Sequence, residues 1–420
     1  MYKPSIAPMG WNSWDCYGAS VTEETVRKNA EFMAKHLKKY GWEYIVVDIQ
    51  WYEPGADSHE YHPFADLAMD EYGRLIPAEN RFPSSAGGQG FKPLAEYVHS
   101  LGLKFGIHIM RGIPRQAALK NTPILGSDMK ARDIARFNSI CQWNPDMYGV
   151  DAGKVGGRAY YDSIFKLYAS WGVDFIKCDD ICRELPHEED ELVMLSEALN
   201  DCGREMVLSL SPGPALLEKA ELYKQVANMW RITDDFWDEW ELLYAMFERA
   251  EKWSIHAGAG HYPDADMLPI GPIRQDYDVN NRTKFTQDEQ MTMLTLFSIM
   301  RSPLIIGGEM TWFDDFTMKL ITNEGILRMH RNSRHAHQIF RRKMNGTEFV
   351  VWYAADCEEG MYAALFNAGD NDADLSLPLS ELEICRPVSA TELWTGQKVT
   401  FDEKIDAAIP AHGARVYYCN

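Results

Sequence analysis

Cysteine is scarce in this chain: eight residues in 420, Cys16, Cys141, Cys178, Cys182, Cys202, Cys357, Cys385 and Cys419, with no pair of CxxC knuckles. That excludes a disulfide framework and a zinc ribbon, so free thiols are expected. Basic charge is also short, 42 lysines and arginines against 62 acids, for a formal net charge of -20. Such a surface repels polyphosphate, which excludes nucleic acid as a partner and favours a neutral, hydrophilic small molecule. No uncharged run approaches a membrane span, and the start, MYKPSIAPMGWNSWDCYG, has neither the basic region nor the apolar centre of an export signal. The chain therefore reads as soluble and cytoplasmic, with no membrane partner, and is compatible with a homo-oligomer. HExxH and GxSxG are absent, and neither GGQG at Gly87 nor GAGHYPDAD at Gly258 has the spacing of a loop that cradles phosphate. No cofactor is expected. A metal held by Asp48, His108, Asp179 and Asp264 is the rival chemistry, but these residues have no compact ligand spacing, and no metal is expected either.

What is present is material for a large core: 46% hydrophobic and 12% aromatic residues, in a chain long enough for a second domain. Over roughly the first 330 residues, short β-rich runs alternate with helical periodicity. The candidate strands are IAPMGWN, YIVVDIQW, LKFGIHIM, VDFIKCDD, EMVLSLS, VANMWRI, WSIHAGAG (Trp253 to Gly260) and SPLIIGG. Eight strands with crossover helices predict an α/β fold, a (β/α)₈ TIM barrel, over 1–330; a doubly wound open sheet is the alternative. The first helix is expected to start at a Ser20 cap, with Glu23 completing a capping box. After about His330 the texture changes to short alternating runs broken by Asp, Gly, Asn and Pro, which predicts a C-terminal antiparallel β-sandwich over 331–420. The stretch from Glu53 to Gly90 reads as a long loop at the pocket end of the barrel.

A barrel places its site at the carboxyl ends of the strands. Those ends are polar here: Asp48 after the second, His108 and Arg111 after the third, Lys177, Asp179 and Asp180 after the fourth, Ser209 and Ser211 after the fifth, Arg231, Asp234 and Asp235 after the sixth, Asp264 and Asp266 beyond the seventh. Carboxylates interleaved with Trp11, Trp14, Trp51 and Trp230 suit a sugar ring, whose hydroxyls need acceptors and whose CH faces need flat apolar partners. Two carboxylates facing each other at about 5 Å suit retaining glycoside hydrolysis, one attacking and the other protonating the leaving oxygen. Lys177 and Asp179 lie two positions apart and so point the same way on a strand, where the lysine would keep the aspartate ionised.

MGWNSW, VVDIQW, LKFGIH, WGVDFIKCDD, WRITDD, PDADML and SPLIIGG, in order from about Pro8 to Asn323, resemble the motifs of melibiase-type α-galactosidases and α-N-acetylgalactosaminidases, retaining glycoside hydrolases. ELWTGQ and IPAHGARV are similar to that family's carboxyl-terminal β domain. The resemblance implies a terminal α-galactoside, a small molecule or an oligosaccharide, as substrate. It implies Asp179 as nucleophile, Asp235 as acid/base, and Trp11 or its surroundings, Asp48, His108, Lys177, Ser211, Arg231 and Asp264 as sugar-binding residues. Departures from the family pattern fall on the specificity shell. Ile49 stands where a second aspartate is usual, His108 replaces a tyrosine, and Ser211 replaces the glutamate common in galactose-specific members. An α-N-acetylgalactosaminidase or a related β-L-arabinopyranosidase is the first alternative, and a non-catalytic carbohydrate-binding protein the second.

Overall fold

The computed structural model describes residues 2–183, 185–275, 277–344 and 346–420. Eight parallel strands form the first sheet: β1 Met9–Asn12, β2 Tyr44–Val47, β3 Lys104–Met110, β4 Phe175–Asp179, β5 Val207–Leu210, β6 Met229–Arg231, β7 Tyr262–Asp264 and β8 Leu304–Ile306. Their order is β7-β6-β5-β4-β3-β2-β1-β8. The circle closes just past β7, where Leu268 pairs with Ile306 in parallel and its N–H donates to the Ile305 carbonyl at 2.7 Å. This is a (β/α)₈ barrel, with helices such as Lys92–Ser100, Val155–Trp171 and Trp240–Trp253 in the crossovers.

Period-two alternation explains why apolar strands end in charge. The residues facing the barrel axis are apolar at the amino end, where Tyr44, Val46, Phe175, Val207, Met229 and Tyr262 form a separate buried cluster. One step of two further on, the inward series becomes Lys177, Ser209, Arg231 and Asp264; the next step brings Asp48, Asp179 and Ser211. The outward residues Ile176, Cys178, Leu208, Leu210 and Trp230 belong to the main core, under the helices.

Two local expectations are corrected. The first long helix begins at Glu23, and its cap is Thr22, which exchanges capping bonds with Thr25; Ser20 instead donates its hydroxyl to the Tyr17 carbonyl. Trp253 to Gly260 is not the seventh strand. Its tryptophan ends the helix Trp240–Trp253, Ser254–His256 is a 3-10 turn, and the strand follows at Tyr262. A short apolar run has the same appearance in a buried helix end as in a strand.

The helix Glu324–Asn332 leads directly into antiparallel strands β9 Ser333–Met344, β10 Thr347–Asp356, β11 Met361–Asn367, β12 Ala373–Pro378, β13 Val388–Glu392, β14 Lys398–Phe401, β15 Lys404–Ile409 and β16 Ala414–Cys419. They form a six-stranded sheet, β9-β10-β11-β16-β13-β14, and a two-stranded one, β12-β15, which together make a C-terminal sandwich. The helix Gln287–Ile299 lies between barrel and sandwich. It is buried over most of its circumference, because Leu294, Leu296 and Phe297 share one core with Val350, Trp352 and Phe366. All eight cysteines are free thiols, and among the described residues no helix is long and apolar enough to cross a membrane.

Candidate active site

The carboxyl ends of the strands open into a cleft of about 450 Å³. Asp48, Lys177, Asp179, Ser211, Arg231 and Asp235 all border it. Asp179 ends β4, and the chain turns at once because Asp180 takes a left-handed φ of 62°. That turn sends the Asp180 carboxylate to Arg111, 2.9 Å away, and leaves Asp179 alone in the cleft. One Asp179 oxygen accepts from the Ser211 hydroxyl at 3.1 Å and the Asp180 amide at 3.0 Å; the other lies 3.3 Å from His108 Nε2. Burial by itself raises the pKa of Asp179. The His108 hydrogen bond and charge, then Lys177, outweigh it, so the group is held below the usual carboxylate range.

Lys177 is half-buried at the cleft floor, and its ammonium contacts Asp48 Oδ2 at 2.8 Å. Its direct partner is therefore Asp48, while Asp179 feels its charge from further off. The same Asp48 oxygen accepts from Asn12 Nδ2 at 2.7 Å, and the other accepts from the Ile49 amide at 2.8 Å. Against the cost of burial, Lys177 first and then His108 hold Asp48 strongly on the ionised side. A carboxylate so bonded is poorly placed to ligate a cation, and among the described residues no group of three or more His, Cys, Asp or Glu is arranged to hold a metal ion.

Two strands along from β4, Arg231 ends β6 and bonds Asp235 Oδ1 through Nη2 at 3.0 Å. Asp235 is 58% exposed, so the apolar setting expected of a general acid is absent in the open cleft. Trp230 and Phe236, the apolar residues next to Arg231 and Asp235 in the chain, belong to the core. The neighbouring Asp234 pairs with Arg183 at 2.8 Å and does not border the cleft, which separates the two adjacent acids by partner and by place. The turn after β5 holds these two strand ends in register. Gly213 sits so close to β6 that a Cβ would lie 2.2 Å from the Thr233 carbonyl oxygen and 2.4 Å from that of Arg231, a space only glycine fits.

Three anticipated residues lie elsewhere. Trp11 is fully buried and donates its indole N–H to the Gly308 carbonyl at 2.9 Å; the β1 aromatic in the cleft is Trp14, three residues on. Trp11 lies in register with Ile45 on the outer face of the barrel, under the helices, and the turn that follows the strand carries the half-buried ring that borders the cleft. His108 stands behind Asp179, wholly buried, and does not border the cleft. Asp264 lines a separate cavity of about 20 Å³ below, room for one water, which shares Lys177, Ser211 and Arg231 with the cleft.

Sequence reasoning missed most of the aromatic rim. His59, Glu60 and Tyr61 come from the long loop after β2, with Tyr61 stacked on Trp14 at 5.3 Å and His59 on Tyr277 at 5.1 Å. Trp143, Arg183, Trp237 and Met267 complete it. The histidine-rich SHEYHP was the one available signal; Trp143 and Tyr277 lie on loops whose path no local pattern encodes.

Comparison with known proteins agrees with this arrangement. The family model described as alpha galactosidase A matches residues 6–153 and 140–332, and that for the alpha galactosidase C-terminal beta sandwich domain matches 346–418. A Geobacillus stearothermophilus β-L-arabinopyranosidase of glycoside hydrolase family 27 has a crystal structure that superposes with a TM-score of 0.96, at 53% identity over 99% of this chain and 96% of that one. A variant of that enzyme has been crystallised in complex with arabinose. A Bacillus halodurans protein provisionally assigned as an α-N-acetylgalactosaminidase is 50% identical, with a TM-score of 0.88 over 99% of this chain and 97% of that one. The α-galactosidase of Coffea arabica is 27% identical over 98% of this chain and 92% of its own.

Proposed function

The chain belongs to the alpha galactosidase A family of glycoside hydrolases, and on that premise we propose that it cleaves terminal sugars of the galactose ring configuration, α-D-galactosides and more readily β-L-arabinopyranosides, with retention. In this mechanism Asp179 attacks the anomeric carbon while Asp235 protonates the departing oxygen, and Asp235 then takes the proton of the water that releases the sugar. Asp179 is suited to the first role by its three hydrogen-bond partners and its lowered pKa, which keep it ionised. Asp235 is suited to the second by its place in the same cleft and by its freedom from any other carboxylate at hydrogen-bond distance. Its exposure in the open cleft ends when an aglycone covers it, and loss of water favours its neutral, proton-donating form.

Asp48, Asn12 and Lys177 offer acceptors and donors to ring hydroxyls from the floor, and Trp14 and Tyr61 offer a stacked aromatic wall. The residue that supports the glycone preference is Ile49, buried in the main core and not bordering the cleft, so the hydroxyl contact that the family's usual second aspartate would give is missing. β-L-arabinopyranose is galactopyranose without its hydroxymethyl arm, so it leaves no C6 hydroxyl to be desolvated without a partner. Such an orphaned hydroxyl costs about 1–3 kcal/mol, roughly ten- to hundredfold in rate. The 53% identity to a β-L-arabinopyranosidase supports the same choice. Ser211, a residue that makes room near C2, commits its hydroxyl to Asp179. The eight free thiols and the net charge of -20 fit a reducing cytoplasmic setting and a partner other than nucleic acid.

The test is kcat/KM for nitrophenyl β-L-arabinopyranoside, α-galactoside, α-N-acetylgalactosaminide and α-glucoside. The pentoside should lead and the α-galactoside follow by about tenfold or more. An acetamido sugar ahead of both would assign the protein to N-acetylgalactosaminides, and inert behaviour on all four with retained sugar binding would make it a binding protein.

A further inference from the structure

Arg231 carries two carboxylates on one guanidinium, and they live in different surroundings. Nη2 meets Asp235 at 3.0 Å, in the open cleft; Nη1 meets Asp266 at 2.7 Å, and that carboxylate is only 4% exposed. The second oxygen of Asp266 accepts the amide of Phe236 at 2.7 Å. A single buried side chain thus holds both the cation on which Asp235 rests and the peptide unit that follows it. Asp266 is itself fixed: its amide donates to Asp264 Oδ1 at 2.9 Å, and its backbone takes a φ of 84°, a conformation that side-chain-bearing residues adopt rarely.

We propose that Asp266 is the positioning residue of Asp235, acting through Arg231 and the Phe236 amide, and that the charge it shares on Arg231 sets the alkaline limit of turnover. The proposal rests on Asp235 being the acid/base. The charged groups that face the pair are Arg231 on β6, Lys177 on β4, Asp264 on β7 and Asp15 in the turn after β1. Burial first, with Asp235 and Asp264 acting in the same direction against Arg231 and Lys177, pushes Asp266 up to about 7. When Asp266 is ionised, Arg231 divides its charge between two carboxylates, and Asp235 keeps its proton to higher pH. When Asp266 is neutral, the full guanidinium charge falls on Asp235 and favours its carboxylate, which cannot act as an acid.

The sign follows directly. In D266N the neutral amide leaves Arg231 to Asp235 alone, so the alkaline limb of the kcat/KM profile should move down by about one pH unit, while the acid limb, set by Asp179, stays in place. D266E keeps the charge but misplaces the Phe236 amide, so kcat should fall about tenfold with the alkaline limb where the wild type has it. Profiles are measured for wild type, both variants and D235A on an aryl glycoside with a poor leaving group, after thermal melts establish that each is folded. An unmoved or upward-moved limb in D266N would overturn the proposal, as would a D266E limb displaced as far as that of D266N. If D235A itself retains the alkaline limb, the acid/base reading fails and the proposal falls with it. If D235A loses the limb and D266N leaves it unmoved, only the role of Asp266 is overturned.

Discussion

At the scale of single residues, Asp179 is defined by what surrounds it. A carboxylate at the end of a buried strand is costly unless its lone pairs are filled, and here a hydroxyl, a backbone amide and an imidazole fill them. Asp179→Ala should remove hydrolysis of unactivated substrates while the melting temperature stays near wild type, and added azide should restore turnover with inverted product; a variant keeping more than a tenth of the rate would dismiss the assignment. His108 is the larger of the opposing influences on Asp179 after burial. In His108→Phe that donor is lost, the folded pKa of Asp179 rises, and the acid limb of kcat/KM should shift to higher pH; a limb that stays put would deny His108 this role. The residue types and their order were legible in the sequence, because strand ends in a barrel converge on one mouth. Their division of labour was not. That Lys177 pairs with Asp48, that His108 stands behind Asp179 and that Trp11 lies on the outer face depend on which strand lies beside which.

At the scale of elements, the long loop after β2 is the part the sequence left open. Glycine, proline and polar residues announced a loop but not its path. The path is fixed by Arg81, a buried guanidinium that donates to the carbonyls of Gln50 at 2.7 Å, Glu53 at 2.9 Å, Val21 at 2.7 Å and also Ala19. Burial without a full ionic partner lowers its pKa to about 10. Arg81 thus ties the loop that delivers His59, Glu60 and Tyr61 to the turn after the first strand. In Arg81→Met those carbonyls lose their donor, and the rim of the cleft should loosen. KM for the preferred glycoside is expected to rise about tenfold with kcat changed much less, since the loop binds and the strand ends react. An equal fall of kcat at constant KM would instead place the loop in the chemical step. Seven of the eight barrel strands fall within the runs read from the sequence; the seventh was misplaced because the apolar end of the preceding helix has the same appearance as a short buried strand.

At the scale of the whole molecule, barrel and sandwich share one core. Trp394 donates to Thr295 at 3.0 Å, His412 lies 3.7 Å over Trp240 and 2.8 Å from Glu289, and Phe247 meets Phe366 at 5.1 Å. His330, in the helix that joins the two parts, is buried and donates Nε2–H to the Ser302 carbonyl at 2.7 Å. Burial lowers its pKa to about 3, against about 6.5 when unfolded. Between those values the unfolded chain binds the extra proton, so stability is full above pH 6.5 and declines as the pH falls toward 3. His330→Gln can keep a donor to Ser302 without the titration. Its melting temperature should fall less than that of the wild type between pH 6.5 and 4; parallel slopes would remove His330 from the account. The two-part organisation was legible from the change of texture near His330, whereas the shared core was not, because no local pattern shows which face of a helix another domain will cover.

The central claim is that Asp179 and Asp235 act as nucleophile and acid/base across one cleft. The most direct test is the configuration of the first sugar released, followed by proton NMR before mutarotation, with the wild-type enzyme and nitrophenyl β-L-arabinopyranoside. The account predicts that β-L-arabinopyranose appears first, the anomer of the substrate. First appearance of the α-anomer would contradict it, since a single displacement by water leaves no covalent role for Asp179.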